Sequence, residues 1–203
     1  MSVSLAELKR TQLYSEELGI ELRRDNDREY FKWFLASLLF GGRISETIAR
    51  NTYRAFVQHK LLTPRKILDA GWSFLVYPIM REGGYVRYDG RKSSQILSDC
   101  ETLLQDYGGS LSALHAASQS PDDLEARLLG FFGVGPVTVN IFLRELRPYW
   151  RQADPEPLPW IVELAEELGL NLGGFDRNTV TFTRIEAGLL RLRRGRRRLL
   201  PLG

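Results

Sequence analysis

The chain has 203 residues, long enough to bury a substantial core without disulfides, and its single cysteine, Cys100, excludes any cluster or site that needs several cysteine ligands. The formal net charge of +3 conceals an asymmetry: the stretch RLRRGRRR, Arg191 to Arg198, holds six arginines, and removing them from the 28 Lys+Arg leaves 22 against 25 Asp+Glu. The opening MSVSLAELKRTQLYSEELGIEL has charges scattered through it and the longest apolar run, FLASLLF, is too short to span a bilayer, so a soluble, cytoplasmic protein without a signal peptide is expected, nucleoid-associated in a prokaryote.

Helical periodicity dominates from the start. Leu5, Leu8, Leu13, Leu18 and Ile20 recur at near-helical spacing. Asp25, Asn26 and Asp27 offer caps ahead of a stripe of Phe31, Phe34, Leu35 and Leu38, and Gly41 with Gly42 ends that helix. Ser45 opens an amphipathic segment with Ile48, Thr52, Phe56 and Val57 on one face, and Thr63 followed by Pro64 opens the next. The segment GWSFLVYPIMREGGYVRYDGRKSSQILSDCETLLQDYGG predicts a short helix, a glycine turn and a longer helix through Ile96, Cys100, Leu103 and Leu104. SLSALHAAS is a further short helix. Ser120, Pro121 and Asp123 then form an N-terminal capping pattern. ADPEPLPW is a proline-broken loop before the helix WIVELAEELGL. TVTFT alternates like a strand, but IEAGLLRL continues it at helical spacing, so a final helix is expected and the class is all-α.

Between two of these helices lies LLGFFGVGPVTVNIF. Gly133 and Gly135 bracket Val134, and Pro136 presets the backbone for the helix that follows. Glycines leave amides uncovered, and free N–H groups at the positive end of a helix dipole suit a phosphate oxygen, a contact that positions a nucleic-acid backbone without reading sequence. A plain helix–helix turn is the other reading of the same residues. The arginine block likewise has two readings, a nucleic-acid contact or a solvated terminus. His59 and His115 stand alone in apolar helical contexts and read as packed or surface residues, not as ligands.

This hairpin resembles the helix-hairpin-helix of the DNA glycosylase superfamily that includes endonuclease III. The resemblance extends to FKWFLASLLFGGRISETIARNTYRAF, to the Ile79–Leu114 stretch and to WIVELAEELGL, in the same order, over about 140 residues from Tyr30 to Leu170. It implies two helical subdomains with a cleft between them: residues 30–130 as a central helical barrel, and residues 1–29 with 131–203 as the second, carrying the hairpin (131–147) and the basic tail (191–203). It also implies double-stranded DNA as partner, a monomer, and DNA contacts from Gly133, Val134, Gly135, Val137 and Thr138.

The family's chemistry is altered here. Where bifunctional members carry a Schiff-base lysine this chain has Val137, so lyase activity is not expected and hydrolysis of the N-glycosidic bond by a monofunctional glycosylase remains. The catalytic carboxylate falls at Asp154 counting forward from the hairpin, with Glu156 as the alternative, whereas counting back from WIVELAEELGL reaches Leu158. Asp154 as a loop cap, and with it a catalytically inactive DNA-binding protein, is the competing reading. The iron–sulfur cysteines are absent, so no cofactor and no metal are implied. The wedge residue that fills the gap left by an everted base falls near Gly42, leaving Arg43, or Arg87 and Tyr88, for that role. Tyr88 also reads as a half-buried loop aromatic.

Overall fold

A computed structural model describes residues 3–23 and 25–199, with side chains up to Arg193. Among the described residues every regular element is a helix. The first expectation is modified: residues 5–20 form two separate turns, α1 (Leu5–Leu8) and α2 (Tyr14–Glu17), with Leu13 extended between them. Part of the reason is local, Glu16 accepting from the Leu13 amide at 3.1 Å, and part is tertiary. The Glu145 carboxylate, 130 residues away, accepts from the amides of Tyr14 and Ser15, both at 2.9 Å, and so starts a new turn where local spacing alone continues the old one.

The locally signalled starts follow the residues expected. Asn26 caps α3 (Asp27–Phe40), accepting from the Arg28 amide at 2.9 Å, and Gly41 ends it. Ser45 caps α4 (Glu46–Gln58), where Thr52 and Phe56 are buried. Val57, expected on the same face, is exposed, because one step of about 100° turns it away from the stripe that Phe56 completes. Thr63 and Pro64 open α5 (Pro64–Phe74), which is interrupted at Gly71 (φ +74°) and passes through a π-type segment, Leu75–Met80, into the short α6 (Arg81–Gly83). The glycine turn follows at Gly84 (φ +80°). Next come α7 (Asp89–Tyr107), α8 (Leu111–Ala117) and α9 (Pro121–Leu129), the last capped by Ser120. α10 (Pro136–Arg144) follows the hairpin, α11 (Pro159–Glu167) follows the proline loop, and α12 (Val180–Leu199) takes in all of TVTFT but its first threonine, Thr179, whose hydroxyl accepts from the Phe182 amide.

α3 packs on α4, α8 and α10; α5 packs on α7; and α12 closes against α1 and α11. One apolar cluster runs through all of these from Leu8 to Leu190. At its centre Phe142 meets Phe34 and Trp150 edge to face, at 5.4 and 5.6 Å, and Trp33 Nε1 donates to the Phe142 carbonyl at 3.0 Å. Each such aromatic pair adds about 0.5–1.5 kcal/mol beyond area burial, which fixes α10 rigidly on α3. No helix of the described residues is long and apolar enough to cross a membrane.

Candidate functional site

The hairpin is held from below and open above. Phe131 is buried against Phe34 and Tyr107, with ring centroids 5.3 and 6.5 Å away, and Val134 is buried beside it. These two anchors leave the glycines at the surface. Gly133 adopts φ +70°, where a side chain is strained, and a Cβ there would lie 3.0 Å from the Gln95 amide group. Gly135 is extended (φ −110°, ψ 175°), and a Cβ there would meet nothing within 4 Å. Among the described residues no backbone acceptor is bonded to the amides of Gly133, Gly135, Val137 or Thr138. Phe132 and Val137, each 55% exposed, flank this row of donors.

Two further loops adjoin it. A Cβ on Gly41 would sit 2.0 Å from Thr138 Oγ1, and one on Gly42 would sit 3.0 Å from Tyr85 Oη. The glycine pair therefore does more than end α3. It lets the α3–α4 loop, with exposed Arg43, touch both the start of α10 and the loop that carries Arg87 and Tyr88. Tyr88 is 59% exposed at φ +63°, and the Arg87 guanidinium lies 5.1 Å over its ring while donating to its hydroxyl at 3.2 Å.

Beside the hairpin opens a cavity of about 240 Å³. Residues 137, 141 and 144 of α10 share one face at i, i+4 and i+7 and form one wall. Val137 and Leu158 both line it, so the position where the resemblance sets a lysine and the position reached by counting back from α11 meet in one cavity, and both are apolar. Its aromatic surfaces are Tyr14, Phe40 and Trp160, and its polar groups are Glu46, Asn140 and Arg144.

Asp154 and Glu156 are not among the residues lining this cavity. Arg177 fastens both, its Nε donating to Asp154 Oδ1 at 2.9 Å and its Nη1 to Glu156 Oε1 at 2.8 Å. Arg147, fully buried, adds an ion pair with Glu186, a hydrogen bond to the Pro155 carbonyl, and a contact of 3.6 Å with Asp154. Asn140 Nδ2 donates to the Glu156 carbonyl at 2.9 Å, so the proline loop is tied to α10 by backbone as well as charge.

Under the hairpin lies a buried polar cluster that the sequence reading missed. Lys92 Nζ donates to the Leu38 carbonyl at 3.0 Å and to Gln95 Oε1 at 2.6 Å. Burial pulls Lys92 down to about 8 and pushes the Asp99 carboxyl up to about 8, each partly offset by the other's charge. Burial also raises the Cys100 thiol. The signal was present as charged residues on the inward stripe of α7, three and four positions from Ile96.

The arginine block divides. Arg191 donates to Glu17 at 2.9 Å and lies 4.3 Å over the Tyr14 ring, and Arg193 lies 4.4 Å over Trp160. The side chains of the remaining arginines up to Arg198 are outside the described residues. His59 pairs with Glu82 at 2.9 Å. His115 stacks on Trp150 at 4.5 Å, and burial lowers its pKa. Comparisons with protein-family models, curated proteins and solved structures find no match to this chain.

Proposed function

We propose that this chain binds duplex DNA in the manner of a helix-hairpin-helix glycosylase, holding a phosphate on the amides of Gly133 and Gly135 and receiving an everted base in the adjoining cavity. The observation that carries the reading is that the amides of Gly133, Gly135, Val137 and Thr138 have no backbone acceptor among the described residues and lie next to a cavity walled by the same helix. Had protein groups capped those amides, the hairpin would be a connector. Arg43, Arg87 and Tyr88 then supply cation and stacking contacts on the duplex beside it.

With Val137 in the wall, the chemistry open to such a site is hydrolysis of the N-glycosidic bond, without Schiff-base strand cleavage. The pairing of Asp154 with Arg177 favours a second reading, a DNA-binding protein that keeps the architecture without the reaction. One experiment separates them: incubate the protein with duplexes carrying single damaged or mispaired bases, then add alkali to reveal abasic sites, with binding followed in parallel by anisotropy. Base release supports the glycosylase. Salt-sensitive binding without release from any duplex supports the second reading, and absence of binding refutes both.

A further inference from the structure

Arg144 is 3% exposed yet lines the cavity, and its guanidinium is under-used. Its Nη1 donates to Asn140 Oδ1 at 3.3 Å, while its Nε is buried and has no hydrogen-bond partner among the described residues. The neighbouring Glu145 carboxylate is already engaged by the Tyr14 and Ser15 amides. Buried guanidinium donors left over in this way call for an acceptor, because an unpaired buried donor is costly and a paired one is not. The remaining walls narrow its nature. Tyr14 and Phe40 meet at 5.8 Å and 72°, Trp160 adds a third aromatic surface, and Val137, Ile141 and Leu158 are apolar, so the space suits a flat ring and not a hydrated anion.

We infer that Arg144 is the specificity-determining residue of the cavity and that it selects a planar heterocycle presenting a carbonyl oxygen beside a ring-nitrogen acceptor, the O6/N7 edge of a keto purine. A guanidinium fork donates to both acceptors at once, whereas the 6-amino group of adenine puts a donor against it. This rests on the cavity reading above and names the chemistry it selects.

The test uses the free bases hypoxanthine and adenine, which differ at C6 in this respect, in equilibrium dialysis against the full-length protein. Hypoxanthine is expected to bind at least about tenfold tighter, within the range that one bidentate pair discriminates. Arg144→Met should abolish the preference. Arg144→Lys, which keeps the charge and loses the fork, should also collapse it and serves if the methionine variant does not fold. Equal binding of the two bases, no saturable binding of either, displacement of hypoxanthine by inorganic phosphate, or an unchanged preference in a folded Arg144 variant would each overturn the inference. A second arm compares duplexes with one hypoxanthine or one adenine opposite the same base: a preference there places the ligand within the strand, and a preference confined to the free base identifies a free heterocycle. Loss of duplex binding with the free-base preference intact refutes the DNA reading alone, and intact duplex binding with no base preference refutes this inference alone.

Discussion

Gly135→Asp separates fold from function because the two respond with opposite sign. The position is extended, not left-handed, and an added Cβ meets no atom within 4 Å, so the backbone and first side-chain atom are accommodated without strain. It places an N-cap carboxylate on α10, a helix whose N-cap has no side chain. Asp improves on Gly there by a few tenths of a kcal/mol, and a negative charge at a helix N-terminus adds about 0.3–1 kcal/mol. At about 2–4 °C per kcal/mol for a chain of this size, Tm should rise by a few degrees. Duplex affinity should fall, because the carboxylate occupies the amides and repels the phosphate. A charge-assisted hydrogen bond contributes about 1.5–3 kcal/mol, which corresponds to a loss of roughly 10- to 100-fold, and the slope of log K against log salt should shrink by about 0.9 for one phosphate. Anisotropy of a labelled duplex across a salt series measures both, with Gly135→Ala, which adds no charge, expected near wild type. A folded Gly135→Asp variant with unchanged affinity and slope would refute the assignment of the hairpin as a phosphate site.

Truncation after Arg193 should flatten the salt slope of binding with little change in Tm, whereas truncation before Arg191 should also lower Tm by removing the contacts to Glu17, Tyr14 and Trp160; an unchanged slope in both excludes the tail from DNA binding. Asp154→Asn and Glu156→Gln are compared by base release: a loss of about 10²–10³-fold in one with binding retained assigns the carboxylate to that residue, and borohydride should trap no adduct through Val137 in either. Stability should pass through a minimum near pH 8. Above its ordinary 3.8 the folded chain keeps a proton on Asp99 that the unfolded chain has released, so stability falls as pH rises to about 8; from there the folded chain has lost the Lys92 proton that the unfolded chain retains, so stability rises until about 9.0, where the buried Cys100 thiol keeps a proton that the unfolded chain releases and offsets the gain. Urea melts from pH 6 to 10 measure this, and Asp99→Asn should remove the falling limb.

What was legible in the sequence was what is encoded within a turn of itself. Asn26, Ser45, Thr63 with Pro64, and Ser120 with Pro121 act on amides two or three residues away, so their helices begin where the residues say. The break between α1 and α2 was legible only in part: Glu16 accepts from the Leu13 amide three residues back, but Glu145, which holds the Tyr14 and Ser15 amides, is remote. The same distance hid the fastening of Asp154, since Arg177 lies 23 residues further along the chain. The cavity stood in between: the stripe of residues 137, 141 and 144 was countable along α10, but the facing Tyr14 and Leu190 come from elements that meet it only in three dimensions.

The Glu145 cap has a consequence for synthesis. Tyr14, held in place by that cap and by Arg191, forms a wall of the cavity together with Leu190. A chain leaving the ribosome N-terminus first exposes α3 to α9, whose mutual contacts are complete by residue 129, long before α12 exists. Within residues 4–22, Tyr14 and Glu17 find Phe40 and Arg50 early, but their partners Glu145, Arg184 and Arg191 emerge later, so the segment cannot complete its docking until α12 is made. The cavity is consequently the final part of the molecule to assemble, and a nascent chain arrested before α12 could carry a formed hairpin but no enclosed site behind it.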